Sequence, residues 1–249
     1  VSVLEIEKQP YTLWATINRP QTRNAIDFEV MEELENLLSQ IENDDDIRVL
    51  VLTGAGTKSF ISGGDLRKFH QISSATEAEQ MARRMHRILN RIEALPCWTI
   101  ACINGTAYGG GCEVALAFDF RIASEQASFG FTQGKFYLPP GWGGLTRLVE
   151  QVGRSTALEW LGGQKIINAQ TALDKSLINR IAGVDELYEQ THEWAQDLSQ
   201  NDRNFIQNLK KGASRTRPHR REALEAEIEP FTRFWVDNMH LKRVKEFLN

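Results

Sequence analysis

Three consecutive glycines, Gly109-Gly110-Gly111, sit between an apolar strand-like run, Trp98 to Ile103, and a strongly apolar helical stretch that carries a single carboxylate, Glu113. No other stretch of the chain restricts the fold as tightly. A glycine run at a strand-to-helix junction lets backbone approach backbone or ligand with no Cβ between them, and it frees amides at a helix start to face negative charge. The run therefore fits half of an oxyanion hole. It fits equally a tight turn with close packing, and the glycines alone do not choose between the two. A carboxylate in an apolar run is costly unless it has a partner or a chemical use, so Glu113 is the first candidate catalytic residue.

Before that junction, strands and helices alternate. Val3 to Ile6 and Tyr11 to Ile17 predict a hairpin with Pro10 beside the turn. Asp27 is placed to cap a helix whose apolar residues are Met31, Leu34, Leu38 and Ile41. Arg48 to Thr53 reads as a strand buried on both faces. A long helix is expected over 76–95, stopped by Pro96, and a further strand over 118–124. Phe129 to Lys135 reads as a loop, and Leu145 to Val152 as a helix entered through Pro139-Pro140-Gly141-Trp142-Gly143-Gly144. After Ser124 the pattern is nearly all helical. The closing stripe Leu224, Ile228, Phe231, Trp235 and Met239 must pack on the body or on a neighbouring subunit, because a lone helix cannot bury it. The whole is an α/β core over 1–185 with a helical extension over 186–249.

Several function classes are disfavoured. Gly54-Ala55-Gly56 lacks the third glycine of a dinucleotide loop, since Ser59 stands there, and no phosphate-loop motif occurs. None of the five histidines has a second at metal-ligand spacing, and the acidic run Glu42 to Asp46 lacks calcium-loop spacing, so no metal site is expected. The three cysteines, Cys97, Cys102 and Cys112, lie in apolar stretches and read as buried thiols. A net charge of −4 gives no general attraction to nucleic acid or to anionic membrane. The basic cluster Lys210, Lys211, Arg215, Arg217, His219, Arg220 and Arg221 lacks interleaved aromatics and reads as a solvated helix junction, with contact to an anionic ligand or to RNA as its alternatives. No apolar run is long enough for a membrane span and the first residues lack a secretory pattern, so a cytoplasmic protein is expected. Asp119 and Arg121 are expected to form a structural pair, His70 to lie on the surface, and Trp142 to line a pocket or fill core.

Six short motifs occur in order: Asn18-Arg19-Pro20 with Asn24-Ala25; Phe60-Ile61-Ser62-Gly63-Gly64-Asp65; Asn104-Gly105 followed by Gly109-Gly110-Gly111-Cys112-Glu113; Asp119 with Arg121-Ile122-Ala123; Phe129-Gly130; and Pro140-Gly141-Trp142-Gly143-Gly144 with Arg147-Leu148. Each is weak alone, but together the chain resembles the crotonase, or enoyl-CoA hydratase/isomerase, superfamily over roughly residues 3–185. The resemblance implies a spiral of ββα units with a helical C-terminal trimerisation region, assembled as trimers or dimers of trimers. It implies an acyl-CoA substrate in a pocket between subunits, with coenzyme A carried by the substrate and no separate cofactor. The thioester oxygen would be held by the amides of Gly64 and Gly110. Glu113 would be the acid/base. Asn24, Ala25, Asp65 and Leu66 map to the loops that meet coenzyme A.

The same resemblance exposes a departure. Hydratases of the family carry two glutamates, and the second maps onto Gln133. A glutamine amide can hydrogen-bond a water but cannot exchange a proton, whereas hydration needs one group to take a proton and one to give it. An enolate-stabilising pocket with one acid fits these residues better than a hydratase pair. Decarboxylation of a malonyl-type thioester is the alternative reaction, since Pro140 to Glu150 also resembles the family's ethylmalonyl-CoA decarboxylase branch. A non-catalytic or RNA-binding homologue is the remaining reading.

Overall fold

The computed structural model describes residues 2–249. Leu4–Gln9 (β1) and Thr12–Ile17 (β2) form the antiparallel opening hairpin, turned through Pro10 and Tyr11. The Asp27 carboxylate caps Phe28–Glu42 (α1) by accepting from Val30 N–H at 3.1 Å, and Val30, Met31, Leu34, Leu37, Leu38 and Ile41 form its buried face. Val49–Gly54 (β3) is buried throughout, as its unbroken apolar run requires. Ser59–Ile61 (β4) and the short helix Leu66–Phe69 (α2) follow. Ala75–Ala94 (α3) starts at a reciprocal Ser74–Glu77 capping box.

Then come Trp98–Ile103 (β5), Thr106–Tyr108 (β6) and Gly110–Leu116 (α4), and after them Phe120–Ser124 (β7), Ser128–Gly130 (β8) and Gly144–Val152 (α5). Arg154–Gly162 (α6), Ile166–Asn168 (β9), Ala169–Asp174 (α7) and Arg180–Ala182 (β10) complete the α/β part. Leu187–Leu198 (α8), Arg203–Arg215 (α9), Arg220–Ala226 (α10), Ile228–Trp235 (α11) and Asn238–Leu248 (α12) close the chain.

Two mixed sheets result, a larger one in the order β1-β2-β3-β5-β7-β10 and a smaller one in the order β4-β6-β8-β9. Each turn of the chain gives one strand to the large sheet and one to the small sheet, then a helix: β3-β4-α2, β5-β6-α4, β7-β8-α5. Successive turns pair in parallel, β3 with β5 and β7, β4 with β6 and β8. The large sheet is covered on both faces. Leu50, Leu52, Ala101 and Ile103 face the main core, while Val49, Val51, Ile100 and Cys102 pack with Leu187, Trp194 and Ala195 of α8. All three cysteines are buried and unbridged.

Three expectations need correction. The segment after Ser124 is not nearly all helix, because β8, β9 and β10 lie in it, and Phe129-Gly130 belongs to a strand, not a loop. Each of these strands has only three residues, too few to show alternation, and each is fixed by its partner rather than by its own pattern. Asp119 and Arg121 do not pair. Asp119 meets Lys210 at 2.7 Å and accepts from Thr99 N–H and Oγ1, whereas Arg121 donates to the carbonyls of Leu177, Phe118 and Ala115.

Candidate active site

The spiral brings the two glycine loops together. Gly63, with φ of 110°, and Gly64 lie between β4 and α2, where Ile26 N–H donates to Gly63 O and Asp65 N–H donates to Ile26 O, both at 2.8 Å. This short bridge fixes the backbone and leaves the Gly64 amide outside it. Gly109, with φ of 52°, precedes α4, and its own amide donates to Gly130 O. The Gly110 amide is the first of the helix and has no intrahelical acceptor. A Cβ on Gly63 would stand 3.4 Å from Gly110 N, so the loops touch. Neither the Gly64 nor the Gly110 amide donates a hydrogen bond among the described residues, and both glycines line a cavity of about 730 Å³. The two positions tolerate no side chain. A Cβ on Gly110 would overlap the Trp142 ring, and one on Gly64 would press on Phe69 at 2.8 Å. Trp142 is both core and cavity wall.

Glu113, one helical turn beyond Gly110, is 4% exposed and opens onto the same cavity. Its Oε2 accepts from Trp142 N–H at 2.8 Å and from Gly144 N–H at 2.9 Å, while Gln133 Nε2 donates to Oε1 at 3.2 Å. A Cβ on Gly144 would collide with the Glu113 side chain, so the glycine is what admits the carboxyl to the α5 N-terminus. Burial pushes the Glu113 carboxyl up to about 7, and the charge of Glu227 adds to the rise; the amides of Trp142 and Gly144 and the Gln133 side chain oppose it. A group poised there gives or takes a proton near neutral pH. Gln133 Oε1 has no protein donor.

Ala25, Asp65 and Leu66 also line the cavity, beside the exposed cations Arg23, Arg67 and Lys135. Asp65 is tied to Arg19 at 2.8 Å and caps α2 by accepting from Arg67 N–H. Asn24 is not brought to the cavity surface. It is fully buried behind the loop, donating to Ala55 O and Ser59 O and accepting from Arg19 N–H. His70 is exposed. The basic cluster is partly consumed by structure, with Lys210 on Asp119, Arg217 on Glu150, and Arg220 on Glu93 and Glu150. No metal-binding group of carboxylates, histidines or cysteines occurs among the described residues, and no helix is long and apolar enough to cross a membrane.

Sequence reasoning missed the amide cradle of Trp142 and Gly144 and the cavity wall that α11 supplies through Phe231 and Trp235. The Pro-Gly-Trp-Gly-Gly run was the available signal, since two glycines before a helix free its first amides.

Two stacked sheets wound as a ββα spiral and closed by C-terminal helices are the crotonase fold. The structure of an enoyl-CoA hydratase/isomerase from Xanthobacter autotrophicus superposes with a TM-score of 0.92 at 25% identity, covering 98% of this chain and 92% of that one. A short-chain enoyl-CoA hydratase of Clostridium acetobutylicum is 34% identical over 196 residues, which is 79% of this chain and 75% of the relative. An ethylmalonyl-CoA decarboxylase of Xenopus laevis is 38% identical over 165 residues, 66% of this chain and 55% of the relative. The enoyl-CoA hydratase/isomerase family model matches residues 11–248, and the chain belongs to that family.

Proposed function

We propose that the protein binds an acyl-CoA thioester with its carbonyl oxygen between the Gly64 and Gly110 amides, and that Glu113 is the one side chain that moves a proton. The observation that carries this reading is the placement of a buried carboxyl, poised near neutrality, on the same cavity as two unused amides. Amides aimed at the thioester oxygen gain most when that oxygen becomes an enolate oxygen, so they lower the barrier more than they tighten substrate binding; one such donor is typically worth roughly 3 kcal/mol. Ala25, Asp65 and Leu66, with Arg23, Arg67 and Lys135 at the mouth, face the coenzyme A moiety. Asn24 supports that loop from behind. Exposed apolar side chains such as Leu158 and Ile166 fit subunit packing in a trimer or a dimer of trimers.

Decarboxylation of a malonyl-type thioester asks of the one carboxyl only that it give a proton. Carbon dioxide leaves, the electron pair of the broken C–C bond enters the enolate, and Glu113 in its acid form delivers a proton to the α-carbon. Gln133 supports this choice, since it stands 3.2 Å from Glu113 and cannot exchange a proton. Hydration is the second reading, favoured by the Clostridium relative. In it, ionised Glu113 takes a proton from a water oriented by Gln133 Oε1 as the oxygen adds to the β-carbon, then returns that proton to the α-carbon.

One substrate panel decides between them. Purified protein is offered crotonyl-CoA, a 3-enoyl-CoA, and methyl- and ethylmalonyl-CoA. Faster loss of carbon dioxide from a malonyl-type thioester than hydration of crotonyl-CoA is expected. The reverse order overturns decarboxylation, and no turnover together with no coenzyme A binding overturns the acyl-CoA reading itself.

A further inference from the structure

The N-terminus of α5 is shared by two carboxylates. Gly143 stands at the capping position with φ of 85° and no side chain, so nothing local satisfies the first amides of the helix. Glu113 takes that of Gly144, together with the Trp142 amide just before the cap. Glu227, which joins α10 to α11, takes the next two: Leu145 N–H donates to its Oε2 at 3.0 Å and Thr146 N–H to its Oε1 at 2.7 Å. Glu227 is 7% exposed and does not line the cavity, so the proposed chemistry does not use it. A helix start offers about half a positive charge, which accommodates one anion better than two. Each Glu227 oxygen takes one amide, which a glutamine with its single acceptor oxygen would not match, and the carboxylate thereby sets a second charge at the helix start that holds the reacting carboxyl.

We infer that Glu227 is a positioning residue for Glu113: its carboxylate fixes the helix start whose amide grips Glu113, and its charge keeps a proton on Glu113. The inference rests on the reading of Glu113 as the proton-transferring group.

The surrounding charges leave Glu227 in that role. Burial pushes the Glu227 carboxyl up, while the hydrogen bonds from Thr146 and Leu145 and the charge of Arg147 of α5, itself held by Glu93 and Asn90 of α3, oppose the rise and favour its ionised form. Arg220 of α10 is bound by Glu93 and Glu150. His86 of α3 is pushed down to about 4 by burial and by Arg147, so it stays neutral through the working range. Glu225 of α10 faces Arg83 at the surface. On the cavity side, Gln133 is uncharged, Asp65 is paired with Arg19, and burial pushes the Cys112 thiol far up.

Removing the Glu227 charge takes away one of the two influences that raise Glu113, so the titration of Glu113 moves to lower pH. The test is a carbon-13 NMR titration of glutamate carboxyls in the full-length protein, with the Glu113 resonance assigned by its loss in Glu113→Gln. In Glu227→Gln the Glu113 midpoint moves to lower pH, while Glu227→Asp, which keeps the charge, stays near the wild type. The pH–kcat profile follows if Glu113 acts as the acid: at pH 8 the wild type is already about tenfold below its acid-side plateau, and Glu227→Gln falls about threefold or more further below its own, with little change in KM. A Glu113 midpoint that moves equally in both variants, or in neither, overturns the inference and leaves Glu227 a structural cap. Should Glu227→Gln fail to fold, the wild-type titration decides. Glu227 holds a proton on Glu113 only when it is ionised while Glu113 titrates, so its resonance is expected to titrate below that of Glu113, and a Glu227 that titrates with or above Glu113 overturns the inference. Failure of the underlying reading is seen separately, as full turnover by Glu113→Gln.

Discussion

At the scale of single residues, Glu113 is the group on which the proposed chemistry converges. Glu113→Gln keeps the shape but cannot exchange a proton, so turnover of whichever thioester the panel identifies falls about 100-fold or more. The same substitution has a stability signature. A carboxyl at about 7 when folded, against 4.5 when free, binds more protons in the native state between those values, so native stability is greatest below 4.5 and declines as pH rises through about 7. Chemical denaturation of wild type and Glu113→Gln at pH 4.5 and pH 8 should show the difference shifting toward the variant by up to about 3 kcal/mol. Gln133 gives the complementary experiment. Gln133→Glu sets a second carboxyl beside the first, so hydration of crotonyl-CoA should rise about tenfold or more, and an unchanged rate would refute the account of the missing partner. Glu113 and Gln133 were legible in the sequence through the motifs that carry them, but their contact across 20 residues was not a matter of spacing alone. Asp119 and Arg121 show the limit from the other side: neighbours in sequence, they face different partners because the fold offered Lys210 to one and three carbonyls to the other.

At the scale of elements, α5 and the loop before it are the part that the sequence disclosed least. The helix was legible, because its apolar spacing and the proline-glycine entry are local. What holds it is not. Arg147, 2% exposed, donates to Trp142 O at 2.9 Å and Gly143 O at 3.3 Å and is bound by Glu93 and Asn90 of α3, so one buried guanidinium ties the loop behind Glu113 to a helix more than fifty residues earlier. Removing one partner of such a cluster strands the others in a dry environment. Arg147→Ala should therefore lose about 3–5 kcal/mol in denaturant unfolding, well beyond an exposed pair such as Arg83 with Glu79. The small sheet was hidden for a related reason. β4, β6, β8 and β9 have three residues each, and their stability comes from pairing with strands from other turns of the spiral, which no window of sequence contains.

At the scale of the whole molecule, the C-terminal helices are the last wall of the cavity. The apolar spacing of the closing segment was readable only in part: Leu224, Ile228, Phe231 and Trp235 are buried, but the stripe is broken over α10, α11 and α12 and Met239 is exposed, and its destination was left between body and neighbour. The chain's own α11 packs on α3 and brings Phe231 and Trp235 to the cavity. Trp235 is buried, donates from Nε1 to Ile72 O at 3.2 Å, and lies against Phe231 and His240. With Leu66 and Phe69 it also borders a second cavity of about 300 Å³ lined by α12, so these three side chains form the partition between the two spaces. Trp235→Ala should cost about 3–5 kcal/mol in unfolding, the range for truncating a buried tryptophan. If the acyl chain runs from the Gly64 and Gly110 amides toward α11, the lost indole joins the cavities and admits a longer chain. The ratio of kcat/KM for an octenoyl over a crotonyl thioester should then rise about tenfold, since each further buried methylene adds binding that the wild-type partition denies. A variant that is destabilised by that amount yet keeps the wild-type ratio would place the acyl chain elsewhere and leave Trp235 a purely structural bridge between the extension and the core.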